Sequence, residues 1–182
     1  MIKKILFAAF VFASLCCFTG CNGKNEVDYE SGETPDYVFV DSYMTFTYDL
    51  KGAVAEMVDV KVTSTLPAAN GTMSTSKEGT KYIVSISGIK CPTQFDLKFQ
   101  LVPLEGITLE ENTVYDYQLT CGFTIMRRFS DGRYILGNSE SAPTLSGKFL
   151  GNKAEEFLKL NGTNVFTFGM SPDGYYEEVV ED

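Results

Sequence analysis

The chain's only arginines, Arg127, Arg128 and Arg133, fall within seven residues. Guanidinium groups packed that closely can receive a carboxylate or phosphate through paired N–H donors. Cationic residues at a strand end equally serve to keep sheet edges from pairing with one another. Asp131-Gly132 lies between them and is a strong hairpin signal. A two-residue turn there would set Arg128 across from Ile135 and Arg127 across from Leu136, with the two arginines on opposite faces.

The carboxylates come in adjacent pairs, Glu110-Glu111, Glu155-Glu156 and Glu177-Glu178. Glycoside hydrolysis needs two carboxyls converging at about 5–10 Å, yet neighbours in a strand point apart. A catalytic pair would therefore have to be assembled from separate elements. Asp173-Gly174 followed by Glu177-Glu178 offers oxygens to calcium but lacks the alternating ligand spacing of an EF-hand loop. A turn followed by a solvated edge is the simpler reading, and no metal or cofactor is expected. Tyr43, Tyr175 and Tyr176 could stack on sugar rings, although the chain has no tryptophan, the best platform for that. It has no histidine either. That removes Ser-His-Asp and Cys-His nucleophiles, His-ligated zinc and the usual proton shuttle near neutral pH.

Strands must position these groups. Phe (14) and Tyr (10) are abundant, which with frequent Val, Ile and Thr is strand composition. The longest alternation starts at Tyr115: Tyr117, Leu119, Cys121, Phe123 and Ile125 share one face, and Asp116, Gln118 and Thr120 the other. Val38 to Tyr48, Val58 to Val62, Tyr82 to Ile86 and Phe95 to Leu101 form earlier strands, with Lys51-Gly52 as a turn. Pro67 to Gly79 reads as a loop. Tyr134 to Leu136, Leu145 to Leu150, Val165 to Phe168 and Tyr175 to Val180 complete the set, the last around a Pro172-Asp173-Gly174 turn. Asn152 to Gly162 is the one helical candidate, with Asn152 as cap, Glu155 and Glu156 in the first turn and Gly162 as its stop. Leu109, a turn at Asn112-Thr113 and then Tyr115 resemble the tyrosine corner of fibronectin type III domains. The resemblance implies that the tyrosine hydroxyl bonds backbone just upstream, between Leu109 and Asn112. An all-β fold is expected, an antiparallel Greek-key β-sandwich of immunoglobulin/fibronectin-like type with one short helix.

Residues 1–20 read as a secretory leader, with Lys3-Lys4 ahead of an apolar run from Ile5 to Leu15. Phe18-Thr19-Gly20-Cys21 resembles a bacterial lipobox, with Phe18 where leucine is usual. The resemblance implies cleavage before Cys21 and lipid attachment there, and Asn22 after the cysteine is similar to lipoproteins sorted to the outer membrane. Residues 21–35 then form a lipidated cysteine and a flexible acidic tether. The acids Glu26, Asp28, Glu30 and Glu33 resemble the export tag of Bacteroidetes surface lipoproteins. Residues 36–182 form the folded domain.

Removing residues 1–20 leaves 13 basic against 24 acidic residues, a net charge of −11. Such a surface repels nucleic acid and anionic lipid headgroups, so the membrane is expected as partner only through the lipid anchor, with protein or glycan at the envelope as ligand. Cys91 and Cys121 are the cysteines left after processing and lipidation of Cys21. An extracytoplasmic location permits a disulfide between them, while a free buried thiol suits Cys121 on its apolar face. The expected function is non-catalytic binding or scaffolding at the outer membrane. The alternative is a glycan-binding accessory protein or a carboxylate-dependent glycan hydrolase.

Overall fold

A computed structural model describes residues 37–179. The leader, Cys21 and the tether lie outside the described residues, as does Val180. The strands are β1 (Phe39–Lys51), β2 (Val58–Ser64), β3 (Thr72–Glu78), β4 (Lys81–Ile89), β5 (Thr93–Pro103), β6 (Val114–Phe129), β7 (Tyr134–Ser141), β8 (Leu145–Leu150), β9 (Thr163–Met170) and β10 (Tyr176–Glu177). They form an antiparallel sandwich. One sheet runs β3-β4-β1-β6-β7, and the other β10-β9-β5-β2. The long β6 pairs β8 along Val114–Leu119 and β7 along Gly122–Arg128, so both strands share one of its edges.

The core forms where the alternating faces meet. Met44, Phe46 and Tyr48 of β1 face Phe95, Leu97 and Phe99 of β5, all buried. Phe46 contacts three rings from the other sheet, Phe99 at 5.2 Å, Phe166 at 4.7 Å and Phe168 at 5.9 Å between centroids. Large buried aromatics each bury 150–250 Å² and dominate such a core. The apolar face expected on β6 is present from Leu119 to Ile125.

Several local expectations are corrected. Val38 and Val40 are exposed, because a register shift between Phe39 and Asp41 moves Ser42 into the inward row. The expected loop from Pro67 to Gly79 contains β3, an edge strand of mostly Ser and Thr. Lys51-Gly52 leads into a single helical turn, α1 (Val54–Met57). The expected helix is α2 (Ala154–Asn161), preceded by Lys153 with no side-chain cap. Asn152 does not cap it; its amide bonds the carbonyl of Glu111 instead. Gly162 ends α2 by bonding Leu158 at 2.7 Å.

The upstream bond expected of Tyr115 is present: the amide of Glu110 donates to its hydroxyl at 3.1 Å. The bond pins the β5–β6 crossover to the start of β6. Because it lies near solvent, Tyr115→Phe is expected to cost about 1 kcal/mol. Tyr117→Phe is the control, since that hydroxyl has no hydrogen-bond partner among the described residues. Urea denaturation of both variants checks this, and equal losses would remove the special role of Tyr115.

Candidate functional site

The hairpin after β6 closes differently from the sequence expectation. Phe129 and Arg133 pair across a three-residue loop, Ser130 to Gly132, with Gly132 at φ +84°. The extra residue shifts the register by one, so Arg127 faces Ile135 and Arg128 faces Tyr134. The two arginines do point to opposite faces. Arg127 turns between the sheets, where its Nε donates to the Asp173 carbonyl at 2.6 Å and its guanidinium lies 3.9 Å from the Tyr175 ring. It thereby holds the β9–β10 turn against the larger sheet. Arg128 grips Asp41, its neighbour on β1, through both carboxylate oxygens. Arg133 pairs with Asp131 and stacks at 3.8 Å over Tyr37. Each arginine of this cluster is thus matched within the fold.

The sequence-predicted cysteines do not meet. Cys91 and Cys121 are both free thiols. Cys91 lies 4.0 Å from the Ser42 hydroxyl, whereas Cys121 pairs with Tyr48, six residues further along β1. At about 3.3 Å per residue that is roughly 20 Å, beyond the ~7 Å Cα separation a disulfide can bridge. Burial pushes the Cys121 thiol up to about 12. The paired acids are likewise dispersed: Glu110 accepts from Thr113 and Glu156 from Lys153. Among the described residues no three His, Cys, Asp or Glu side chains gather to hold a metal. Of the tyrosines suited to sugars, Tyr175 lies under Arg127, Tyr176 packs 5.0 Å from Phe123, and Tyr43 donates to Ser85.

The structure does assemble a cleft at the opposite end of the sandwich, where α2 spans the two sheets. It has a volume of about 290 Å³. Tyr48 and Leu50 come from β1, Tyr117 and Leu119 from β6, Leu145 from β8 and Phe157 from α2. Its walls follow from local sequence. Gly147 on β8 allows Tyr117 to lie flat over the strand, since a Cβ there would stand 2.6 Å from the Tyr117 ring. Phe157, the buried face of α2, stacks on Phe149 at 4.4 Å and tilts against Tyr117 at 4.8 Å. Leu145 and Leu160 are exposed at the rim.

The floor of the cleft is polar. Tyr48 is fully buried, and its hydroxyl accepts a 2.9 Å bond from Asn164 Nδ2. The same Nδ2 lies 3.4 Å from the Asn161 carbonyl, which only accepts, so the amide nitrogen must be the atom on that side. Burial pushes the Tyr48 phenol above its ordinary value, which keeps it protonated. Sequence reasoning missed Asn164. The signal was legible, because the inward row of β9 reads Asn164, Phe166, Phe168, Met170, with one polar residue on an otherwise apolar face.

Comparison with protein-family models, curated proteins and solved structures found no match to this chain.

Proposed function

We propose that this chain is an outer-membrane protein, lipid-anchored through Cys21, whose sandwich binds a small ligand in the cleft beneath α2 without catalysing its conversion. The observation that carries the reading is the cleft itself. It combines apolar walls with a buried Tyr48–Asn164 pair, and no Asp, Glu, Lys or Arg lines it. That is the composition of a small-molecule site. A carboxylate-dependent hydrolase would need two convergent acids in such a place, and the surface tyrosines that would favour a glycan are engaged within the fold.

Ligand binding to the native state raises stability by RT ln(1 + [L]/Kd). Thermal unfolding of the full chain with a panel of amphiphiles and glycans, repeated with Leu145→Trp to block the rim, tests the reading. At least one compound should raise the midpoint of the wild type and leave that of Leu145→Trp unchanged. Turnover of glycosides or peptides, or stabilisation indifferent to Leu145→Trp, would overturn it.

Anchoring is tested separately. Cys21→Ala should leave the membrane fraction or accumulate as an unprocessed precursor. A variant that fractionates and migrates like wild type contradicts the anchor. Acylation contributes about 0.8 kcal/mol per buried CH₂, and two or more chains hold stably. Residues 22–35 would reach at most roughly 50 Å from the headgroups when extended.

A further inference from the structure

We infer that the cleft selects a neutral, mostly apolar molecule of about ten heavy atoms that carries one hydroxyl, an alkylphenol or a short aliphatic alcohol. This rests on the cleft being the ligand site. The size follows from its volume of about 290 Å³, at roughly 30 Å³ per heavy atom, the share a water molecule takes in the liquid. Neutrality follows from the lining, which contains no charged side chain. A charged head would be desolvated there without a counter-ion, at a cost of several kcal/mol.

The hydroxyl follows from what the floor leaves open. Tyr48 is fully buried, so its hydroxyl presents no surface to the cleft; it accepts from Asn164 and so fixes which way that amide points. The Asn164 amide is oriented with Nδ2 toward Tyr48 and Asn161, so Oδ1 is the acceptor left over. No buried side-chain nitrogen or oxygen among the described residues is both sealed from solvent and unpaired. Asn164, 7% exposed and with no partner for Oδ1 among the described residues, therefore presents that oxygen to the cleft. That single acceptor is complementary to one hydroxyl, which donates to Asn164 Oδ1. Tyr117 and Phe157 supply flat walls for an aromatic body.

The test is saturation-transfer NMR on the full chain with three probes of one shape: 4-propylphenol, propylbenzene and 4-propylbenzoate. A site that hydrogen-bonds a hydroxyl discriminates strongly against the analogue lacking it. The wild type is expected to bind 4-propylphenol at least about tenfold tighter than either of the others. Asn164→Leu removes the acceptor and should bring 4-propylphenol to within about threefold of propylbenzene, and Leu145→Trp should abolish binding of all three. Tyr48→Phe removes the oxygen that holds Nδ2 and so frees the Asn164 amide to turn; it should weaken the same preference, so the outcome is decided even if Asn164→Leu fails to fold. Equal binding of the three probes, no binding of any, or a preference that survives both floor variants overturns the inference. A preference for 4-propylbenzoate that Leu145→Trp still blocks overturns the hydroxyl selection and leaves the binding reading standing.

Discussion

Phe99→Ala is expected to destabilise the sandwich by about 3–5 kcal/mol, the cost of emptying a large aromatic site in a close-packed core. Phe99 is fully buried on β5. It stacks on Tyr48 at 4.5 Å with only 4° between the rings, and meets Phe46 at 5.2 Å and Phe166 at 5.7 Å. Two of those partners belong to the opposite sheet, so the ring joins the layers, and β-sheet backbones cannot collapse into the void one side chain leaves. Urea denaturation should show a lower midpoint with an unchanged slope. Val102→Ala, an exposed position of the same strand, should stay within about 0.5 kcal/mol. Similar losses at the two positions would mean that the sheets are not joined through Phe99. The ring also supports the floor of the cleft, so any ligand of the Tyr48–Asn164 pair should bind Phe99→Ala more weakly.

Gly174→Ala should be the other severe change, and Gly132→Ala shows why. Both glycines close Asp-Gly hairpins in the left-handed region, at φ +78° and +84°. Alanine in that region costs about 1–2 kcal/mol. At Gly132 nothing lies within 4 Å of an added Cβ, so that conformational cost is all that applies. At Gly174 the Cβ would stand 2.5 Å from the Phe39 ring and from Ser42 Oγ. Neither can move freely: Phe39 packs edge-on to Phe129 at 6.3 Å, and Ser42 is buried with its hydroxyl donating to the Gly174 carbonyl. Overpacking adds about 1–3 kcal/mol. The turn is also the one Arg127 holds through Asp173, so the damage should spread to that latch. Denaturation midpoints of the two variants give the difference directly, and equal midpoints would contradict the close packing of this turn.

How much was legible in the sequence depended on burial. β5 and the second half of β6 bury one face completely, and their alternation was readable residue by residue. β3 was not, because an edge strand of Ser and Thr with no buried row carries no period to read. The shift between Phe39 and Asp41 defeated the reading of Val38 and Val40 for a related reason: one extra residue inverts every side chain beyond it. The Arg127 and Arg128 register was off by one because Asp-Gly serves both two-residue and three-residue loops. Gly174 was recognisable as a turn residue, but not as one wedged against Phe39, which comes from the other end of the chain. The cleft drew walls from both sheets and α2, so no local stretch announced it. Asn164 alone could have been found, as the polar member of an apolar row.

The claim that the cleft beneath α2 is the ligand site is tested most directly by a crystal structure of the chain soaked with 4-propylphenol. The phenol oxygen is expected at about 2.5–3.2 Å, hydrogen-bonding distance, from Asn164 Oδ1, with the ring against the Tyr117 and Phe157 side of the cleft. An empty cleft, or the molecule seated only elsewhere on the sandwich, would contradict it.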